Sequence, residues 1–376
     1  MSAKVLTSKM LKDLAMKIGG GGGGVDVVGV ANIERFAEAP ERMHPLNIFP
    51  DCKSVISIVQ PIPRSTYRGI TEGTHWNNYT YYAYNRLNTL FRPMVTDELS
   101  RFIEECGFEA VPVYPGVPET YPNNPDPIPG RPSPDVQIQV RIAGMACGLG
   151  EMGWSKVFLH PVFGPRVRLG TILTDAVLEP DPLIKPGTLC KRCMKCVKDC
   201  PGNAIPPKGG PSIKINIEGQ EYEWGDVNMG RCTATHHGIN YKASPFLKRY
   251  FPGFNLDITD TTMSEELAYK ITHSLGRAQW GRQNPEFPGT MGYPYIMQVS
   301  SHCGYLAVCG AKGCIRACME FQEKTKNIPQ NNFQTPVFPG PKWELCPPEE
   351  DETGGIVEKK ALTELYQDPD QDAGQW

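Results

Sequence analysis

No apolar run in this 376-residue chain approaches the length needed to cross a bilayer. The longest, Val25 to Val30 and Ser54 to Val59 among them, fall far short of the roughly eighteen residues a spanning helix requires. No membrane span is predicted. Charge of one sign is also lacking: 38 Lys+Arg stand against 41 Asp+Glu, a formal net of -3. A chain so balanced has no electrostatic footprint for nucleic acid, which excludes a nucleic-acid partner as its main business. The segment Met1 to Gly19 has neither an apolar signal core nor a twin-arginine pair, so a cytoplasmic location is expected. Stability needs no disulfides either, because a chain of this length can bury a sizeable core.

What the chain does have is cysteine, thirteen residues in an uneven distribution. Cys52, Cys106 and Cys147 are scattered, nine crowd between Cys190 and Cys318, and Cys346 stands apart, which is not how a disulfide framework is spread. The dense part opens Cys190-Lys-Arg-Cys193-Met-Lys-Cys196-Val-Lys-Asp-Cys200-Pro201, a C-x2-C-x2-C-x3-C-P run without mismatch. That spacing is the bacterial ferredoxin signature for a 4Fe-4S cluster: three thiolates wrap one cubane and the fourth reaches toward another. One tetrahedral zinc ion would instead want two separated C-x2-C knuckles. Lys191, Arg192, Lys195 and Lys198 lie among these cysteines and are expected to lower their thiol pKa values.

A second cluster needs four more ligands, and Cys309-Gly-Ala-Lys-Gly-Cys314-Ile-Arg-Ala-Cys318 repeats the closing C-x3-C with a C-x4-C before it. The exchange rule for paired motifs then assigns Cys190, Cys193, Cys196 and Cys318 to one cluster. Cys200, Cys232, Cys309 and Cys314 go to the other, with Cys303 the competitor of Cys232.

Residues 1–185 alternate apolar β-rich runs with amphipathic stretches, the pattern of an α/β domain. Val25 to Asn32, Ser54 to Pro61, Glu109 to Val113 and Arg166 to Leu178 read as strands. Asp97 to Glu105 and Val136 to Cys147 read as helices, the second stopped by Gly148. Pro115 to Pro134, 206–212 and 327–350 are Pro-rich loops. The cysteine-dense region is bounded at 186–325 with an insertion over 233–308, and 326–376 is a Pro-rich, acidic tail. The six glycines Gly19 to Gly24 carry no chemistry that their sequence identifies. Gly148-Leu-Gly150-Glu-Met-Gly153 matches G-x-G-x-x-G, yet it follows a helix where a dinucleotide fingerprint follows a strand.

Taken in order, Ile142-Ala-Gly-Met-Ala-Cys-Gly-Leu-Gly-Glu-Met-Gly153, Phe163-Gly-Pro-Arg-Val-Arg-Leu-Gly170, Leu173-Thr-Asp175 and the ferredoxin run resemble the corrinoid iron-sulfur reductive dehalogenases. More loosely they resemble epoxyqueuosine reductase. The resemblance implies an α+β or α/β, nitroreductase-like core holding cobalamin with its lower base detached, followed by a ferredoxin-like domain with two 4Fe-4S clusters. The D-x-H-x-x-G motif of histidine-ligated corrinoid proteins is absent, in agreement with that binding mode. Gly148, Gly150, Gly153, Phe163, Gly164 and Arg166 are carried over as cobalamin-binding residues.

The dehalogenase arginine falls at Arg168, and the proton-donating tyrosine at Tyr84, with Tyr81 and Tyr82 as neighbours that a longer helix leaves eligible. Asp135 lies within one position of the carboxylate that epoxyqueuosine reductase uses. The implied reaction is two-electron, one-proton removal of halide from a small organohalide at a cob(I)alamin centre. An external low-potential donor of ferredoxin or flavodoxin type would feed the clusters. A tyrosine with an ordinary pKa near 10 is a poor acid at neutral pH, and an adjacent guanidinium eases donation by stabilising the phenolate. Each residue also has a plainer role: the tyrosines as an aromatic face, Arg168 in a salt bridge, Asp135 as a helix cap. The histidines, His236-His237 among them, read as packing or hydrogen-bonding groups. The 233–308 insertion would shape the substrate pocket or a homodimer contact. The rival reading in another class is a ferredoxin-type electron carrier, which needs only the clusters.

Overall fold

A computed structural model describes residues 5–18, 27–67, 78–114, 137–240, 242–243, 257–260, 262–273 and 309–327. The Gly19 to Gly24 run, the loop 115–134, Trp76, Asp135, His302, Cys303, Cys346, most of the 233–308 insertion and the C-terminal tail lie outside the described residues.

The fold is mixed α/β, built on a four-stranded sheet in the order β1 (Val27–Asn32), β2 (Ser54–Pro61), β6 (Val167–Thr174) and β3 (Ala110–Pro112). Every neighbouring pair is antiparallel, which makes this core α+β rather than a sheet of parallel crossovers. The central strand β2 is buried from Ser54 to Gln60, and its alternation sorts the side chains to two faces. Val55 and Val59 join a core with Val167, Leu169 and Leu173 and with helix α3 (Val140–Ala146). Ile56 and Ile58 join an opposite core with helices α1 (Ser8–Ala15) and α2 (Arg92–Glu105). Helix α2 presents Val95, Leu99 and Ile103 at four-residue spacing to that core. Thr7 caps α1, its hydroxyl accepting from the Met10 amide at 3.2 Å.

The strands read from the sequence agree with these to within a few residues. The helix read from Val136 is shorter, Val140–Ala146, and Gly148 does stop it, with φ +72°. A strand pair β4 (Glu151–Met152) and β5 (Phe158–Leu159) follows. Beyond the first cysteines, β7 (Ser212–Ile217) and β8 (Gln220–Gly225) form a hairpin whose two-residue turn places Glu218 and Gly219 at φ 49° and 78°. Glu-Gly is a poor signal for such a turn. It is held locally by Asn216, whose Oδ1 accepts from the Gly219 amide at 2.7 Å, and by tertiary contact, for Arg35 grips Glu218 at 2.9 and 3.0 Å while also donating to Ala146 O and Asp181 O at 2.7 Å. Cys52 and Cys147 are buried thiols whose Sγ atoms meet the carbonyls of Ser54 and Val55 at 3.4 Å.

His160, 2% exposed, accepts the Val162 and Phe163 amides on Nδ1 at 3.1 and 3.4 Å. Burial lowers its pKa from 6.5 to about 4. The unfolded chain therefore binds a proton that the folded chain refuses between those values. Stability is full above pH 6.5 and falls on acidification toward pH 4, by on the order of 2–3 kcal/mol from this residue. Urea unfolding across pH 4–7 is expected to show that slope, and His160→Asn to flatten it.

Candidate functional site

Four of the eight candidate cysteine ligands lie on three short helices, and Cys190, Cys193, Cys200 and Cys309 on the loops beside them. Helix α4 (Lys195–Lys198) carries Cys196 and is entered through Arg192 and Met194 at φ 48° and 59°. Helix α5 (Met229–His236) carries Cys232 and packs through Ala234 on Ala268 of α6 (Glu265–His273), and α7 (Cys314–Lys324) begins at Cys314 and carries Cys318 one turn on. Cys190, Cys196, Cys200, Cys232 and Cys314 pack around an apolar nucleus of Trp154, Ala204, Ile205 and Val227. Amides of Trp154 and Ala204 point at the sulfurs of Cys190 and Cys200, each at 3.4 Å.

The thiols influence one another in two sets. Cys318 responds to Cys190, Cys196 and Cys193 before Cys314, and Cys196 to Cys190 and Cys193. Cys309 responds to Cys314, Cys232 and Cys200, and Cys314 to Cys232 and Cys200 before Cys196, so the two sets adjoin along the helix that carries Cys314 and Cys318. Among the described residues no three His, Cys, Asp or Glu side chains are gathered closely enough to hold a metal ion. Four thiolates, one for each iron, are the donor set that a 4Fe-4S cubane requires. Cys232 joins the second set, and Cys303 lies outside the described residues.

The expected lowering of thiol pKa by the neighbouring lysines does not occur in the protein as folded. Burial, then the neighbouring thiols, raises Cys196 and Cys232 to about 11, and burial raises Cys190, Cys309, Cys314 and Cys318 as well. The basic side chains are engaged elsewhere. Lys195 pairs with Asp199 and Glu320 at 2.6 and 3.2 Å, Arg192 with Glu223 at 2.6 Å, and Lys191 donates to Gly187 O at 3.0 Å.

Beside the second set lies a cluster of aromatic and basic groups. Residues Tyr79–Phe91 form a π-helix, whose i→i+5 bonding brings residues five apart onto one face. An α-helix would turn such residues about 140° away from each other. Two pairs use this geometry. Tyr79 and Tyr84 meet edge-to-face at 5.4 Å with their hydroxyls 3.5 Å apart, and Arg86 Nε donates to Tyr81 Oη at 2.6 Å.

Strand β6 brings Arg168 over the Tyr84 ring, with Cζ 4.2 Å from the centroid, and Arg168 Nε donates to Ala83 O at 2.9 Å. Its Nη2 is shut off from solvent and has no hydrogen-bond partner among the described residues. Burial opposes the charge, but Tyr84, Tyr79 and Tyr67 around it outweigh that effect and hold the guanidinium protonated. Tyr67 and Tyr79 are fully buried, and burial raises both phenols.

Three contacts of this cluster were not legible as site contacts in the sequence. A Cβ on Gly310 would stand 2.6 Å from Tyr79 Oη and 3.4 Å from Tyr84 Oη, so only glycine lets the loop after Cys309 approach the hydroxyls this closely. His236 packs on Tyr84 with ring centroids 5.1 Å apart. Tyr67 packs on Tyr79 with ring centroids 4.9 Å apart and the planes tilted by 55°. The signals were present but indirect: Gly310 directly follows a ligand, and His236 lies four residues after Cys232 on one helix face.

Of the other carried-over residues, Tyr82 is 46% exposed and packs on Tyr81, away from Arg168. Asp135 lies outside the described residues. The six residues assigned to cobalamin are occupied by the chain itself. A Cβ on Gly148 would meet Pro182 O at 2.3 Å, one on Gly150 would meet Leu159 O at 2.0 Å, and one on Gly153 would meet Leu159 at 3.2 Å. Phe163 stacks on His160 at 5.1 Å, Gly164 bridges to His160, and Arg166 is buried with Nη1 on Ile62 O at 2.7 Å. These side chains and glycine faces fit no corrinoid as described. Trp154 and Trp224 are likewise core residues, the former donating to Pro206 O at 2.8 Å. Gly150→Ala is expected to destabilise the chain by about 1–3 kcal/mol through overpacking against β5, read as a lower denaturation midpoint.

No family model matches the chain. An 81-residue stretch is 38% identical to tetrachloroethene reductive dehalogenase of Desulfitobacterium hafniense, covering 21% of this chain and 14% of that protein. A stretch of 111 residues is 29% identical to the enzyme of the same name from Sulfurospirillum multivorans, covering 27% and 22%. This chain resembles the reductive dehalogenases. It also resembles epoxyqueuosine reductase, at 34% identity over 68 residues of the Listeria monocytogenes protein, covering 18% and 17%. Each matched stretch is therefore a small part of the relative's length.

Among solved structures, a reductive dehalogenase described as B12-dependent superposes with a TM-score of 0.41 at 19% identity, covering 57% of this chain and 27% of that one. Epoxyqueuosine reductase bound to a tRNA stem loop superposes at 0.39 and 17%, covering 85% and 81%. No helix among the described residues is long and apolar enough to cross a membrane.

Proposed function

We propose that the chain is a reductive dehalogenase-like oxidoreductase. It would take a small organohalide, two electrons and one proton to the hydrogen-substituted product and a halide ion. The carbon–halogen bond breaks, a carbon–hydrogen bond forms, and the halide leaves with the electron pair. The observation that carries this reading is the Arg168–Tyr84 pair, a protonated guanidinium 4.2 Å over a phenol ring, packed beside the loop that holds Cys309. Residues 1–185 would then be a nitroreductase-like core, and 186–325 a ferredoxin-like domain fed by an external low-potential donor.

The two thiol sets would hold 4Fe-4S clusters, which supply electrons one at a time. Arg168 offers Nη2 to an anion, either the departing halide or an acidic group of the substrate. The same guanidinium lies over the Tyr84 ring, which sets a cation beside the phenol that serves as the proton donor of this reading. Buried Tyr79 and Tyr67 keep their protons and wall the acid on its inner side. The corrinoid that the resemblance implies finds no fit at Gly148 to Arg166, and no step of the proposal passes through it.

The test is anaerobic reconstitution with iron, sulfide and corrinoid, followed by a panel of organohalides under a low-potential reductant. One halide released per two electrons is the expected result, with corrinoid retention measured alongside. Reduction of an epoxyqueuosine-bearing tRNA stem loop, with no halide released from any organohalide, would overturn the reading. The net charge of -3 is a poor match to RNA.

A further inference from the structure

The five-residue register that sets Tyr84 beneath Arg168 has to end where the π-helix of Tyr79–Phe91 gives way to α2. The Arg92 amide still bonds five residues back, to Leu87 O. The next carbonyl, Asn88 O, would take the amide of residue 93, but residue 93 is proline and has none. Arg92 supplies the missing donor from its side chain, with Nη2 donating to Asn88 O at 3.1 Å. The same guanidinium reaches the sheet, where Nη1 donates to Leu169 O at 2.6 Å, directly after Arg168 on β6. Arg92 is 4% exposed, and a Cβ on Gly170 would stand 3.0 Å from its Cγ. The glycine that closes the 163–170 run thus leaves room for the arginine stem. Burial, then Arg168, pushes the Arg92 pKa down to about 9, so the group stays charged at neutral pH.

We propose that Arg92 is the positioning residue of the Tyr84–Arg168 pair, a single fork that holds the π-helix in register and ties it to the strand that carries Arg168. Each carbonyl it grips is close in the chain to one member of the pair: Asn88 lies four residues after Tyr84, and Leu169 follows Arg168. Arg92 acts on the pair through these backbone groups. Without the fork Asn88 O loses its donor, and the helix is free to return to i→i+4 bonding. That return would part Tyr79 from Tyr84 by about 140° around the helix and carry the phenol away from Arg168. Lysine cannot take the place of Arg92, because one ammonium nitrogen does not reproduce a planar fork between carbonyls on two elements.

This inference rests on the reading of Tyr84 and Arg168 as the reacting pair, while the register is tested without turnover. The full chain carrying its clusters is labelled with 3-fluorotyrosine, and the Tyr84 fluorine line is identified by its loss in Tyr84→Phe. Arg92→Met and Arg92→Lys are expected to move that line from its wild-type position, with the far-ultraviolet circular dichroism of the folded chain retained. Pro93→Ala, which returns an amide to residue 93, should leave the line in place. Added to Arg92→Met, it should bring the displaced line at least half-way back. Halide release by Arg92→Met should fall ~10–100-fold in kcat with KM changed less, and recover in the double variant. A Tyr84 line unmoved in Arg92→Lys would overturn the proposal, as would a displaced line that Pro93→Ala does not bring back. Should Arg92→Met not fold, Arg92→Lys with and without Pro93→Ala carries the same comparison. The line positions need neither corrinoid nor organohalide, so a register that does not depend on Arg92 is distinct from failure to release halide.

Discussion

Replacing Cys318 by serine is expected to damage the iron site of Cys190, Cys193 and Cys196, more than a hundred residues earlier in the chain, and to spare the site of Cys314, one helical turn away. Helix α7 lies across both sets, presenting Cys314 to one and Cys318 to the other. Cys314→Ser should do the reverse and strike the set that includes Cys200, Cys232 and Cys309. Each variant is expected to fall from about eight to about four iron per chain on anaerobic reconstitution, with one reduced-cluster spin signal lost. If Cys314→Ser and Cys318→Ser lost the same signal, the crossed assignment would be wrong.

The second large effect concerns the acid. Tyr84→Phe keeps the ring beneath Arg168 and removes only the hydroxyl, so halide release should fall by about 10²–10⁴-fold with substrate binding little changed. Arg168→Lys should fail nearly as badly, because an ammonium cannot lie flat on the Tyr84 ring while donating to Ala83 O. It should also weaken anion binding, since Nη2 is lost. Steady-state halide release for both variants would distinguish the roles: a drop confined to kcat for Tyr84→Phe, and one shared between kcat and KM for Arg168→Lys. A Tyr84→Phe enzyme with wild-type turnover would hand the proton to another group.

How far the sequence reached follows from which interactions are local. The ferredoxin run could be read directly because its spacing lies in adjacent residues. Ser54 to Pro61 could be read because a strand covered on both faces is mostly apolar, here Val55, Ile56, Ile58 and Val59 about a single serine. The antiparallel order of the sheet could not, since strand direction is set by connections and not by the composition of any strand. Nor could the π-helix: Tyr79, Tyr81, Tyr84 and Arg86 suggest an aromatic face at α-helical spacing, and only the i→i+5 register pairs them as they are paired. The Gly148 to Gly153 loop looked like a cofactor cradle because glycine marks close approach without saying what approaches; here it is β5 and Pro182. The turn at Glu218 escaped because Glu-Gly is an unusual turn pair, and its support is shared between Asn216 beside it and Arg35, 183 residues away.

Eight thiols forming two cluster sites underlie the function proposed for this chain. Iron and acid-labile sulfide, measured per chain after anaerobic reconstitution of the full protein, test this most directly. About eight of each, in two separately reducible centres, is the predicted result. About four of each, or one centre that survives loss of either Cys314 or Cys318, would contradict it.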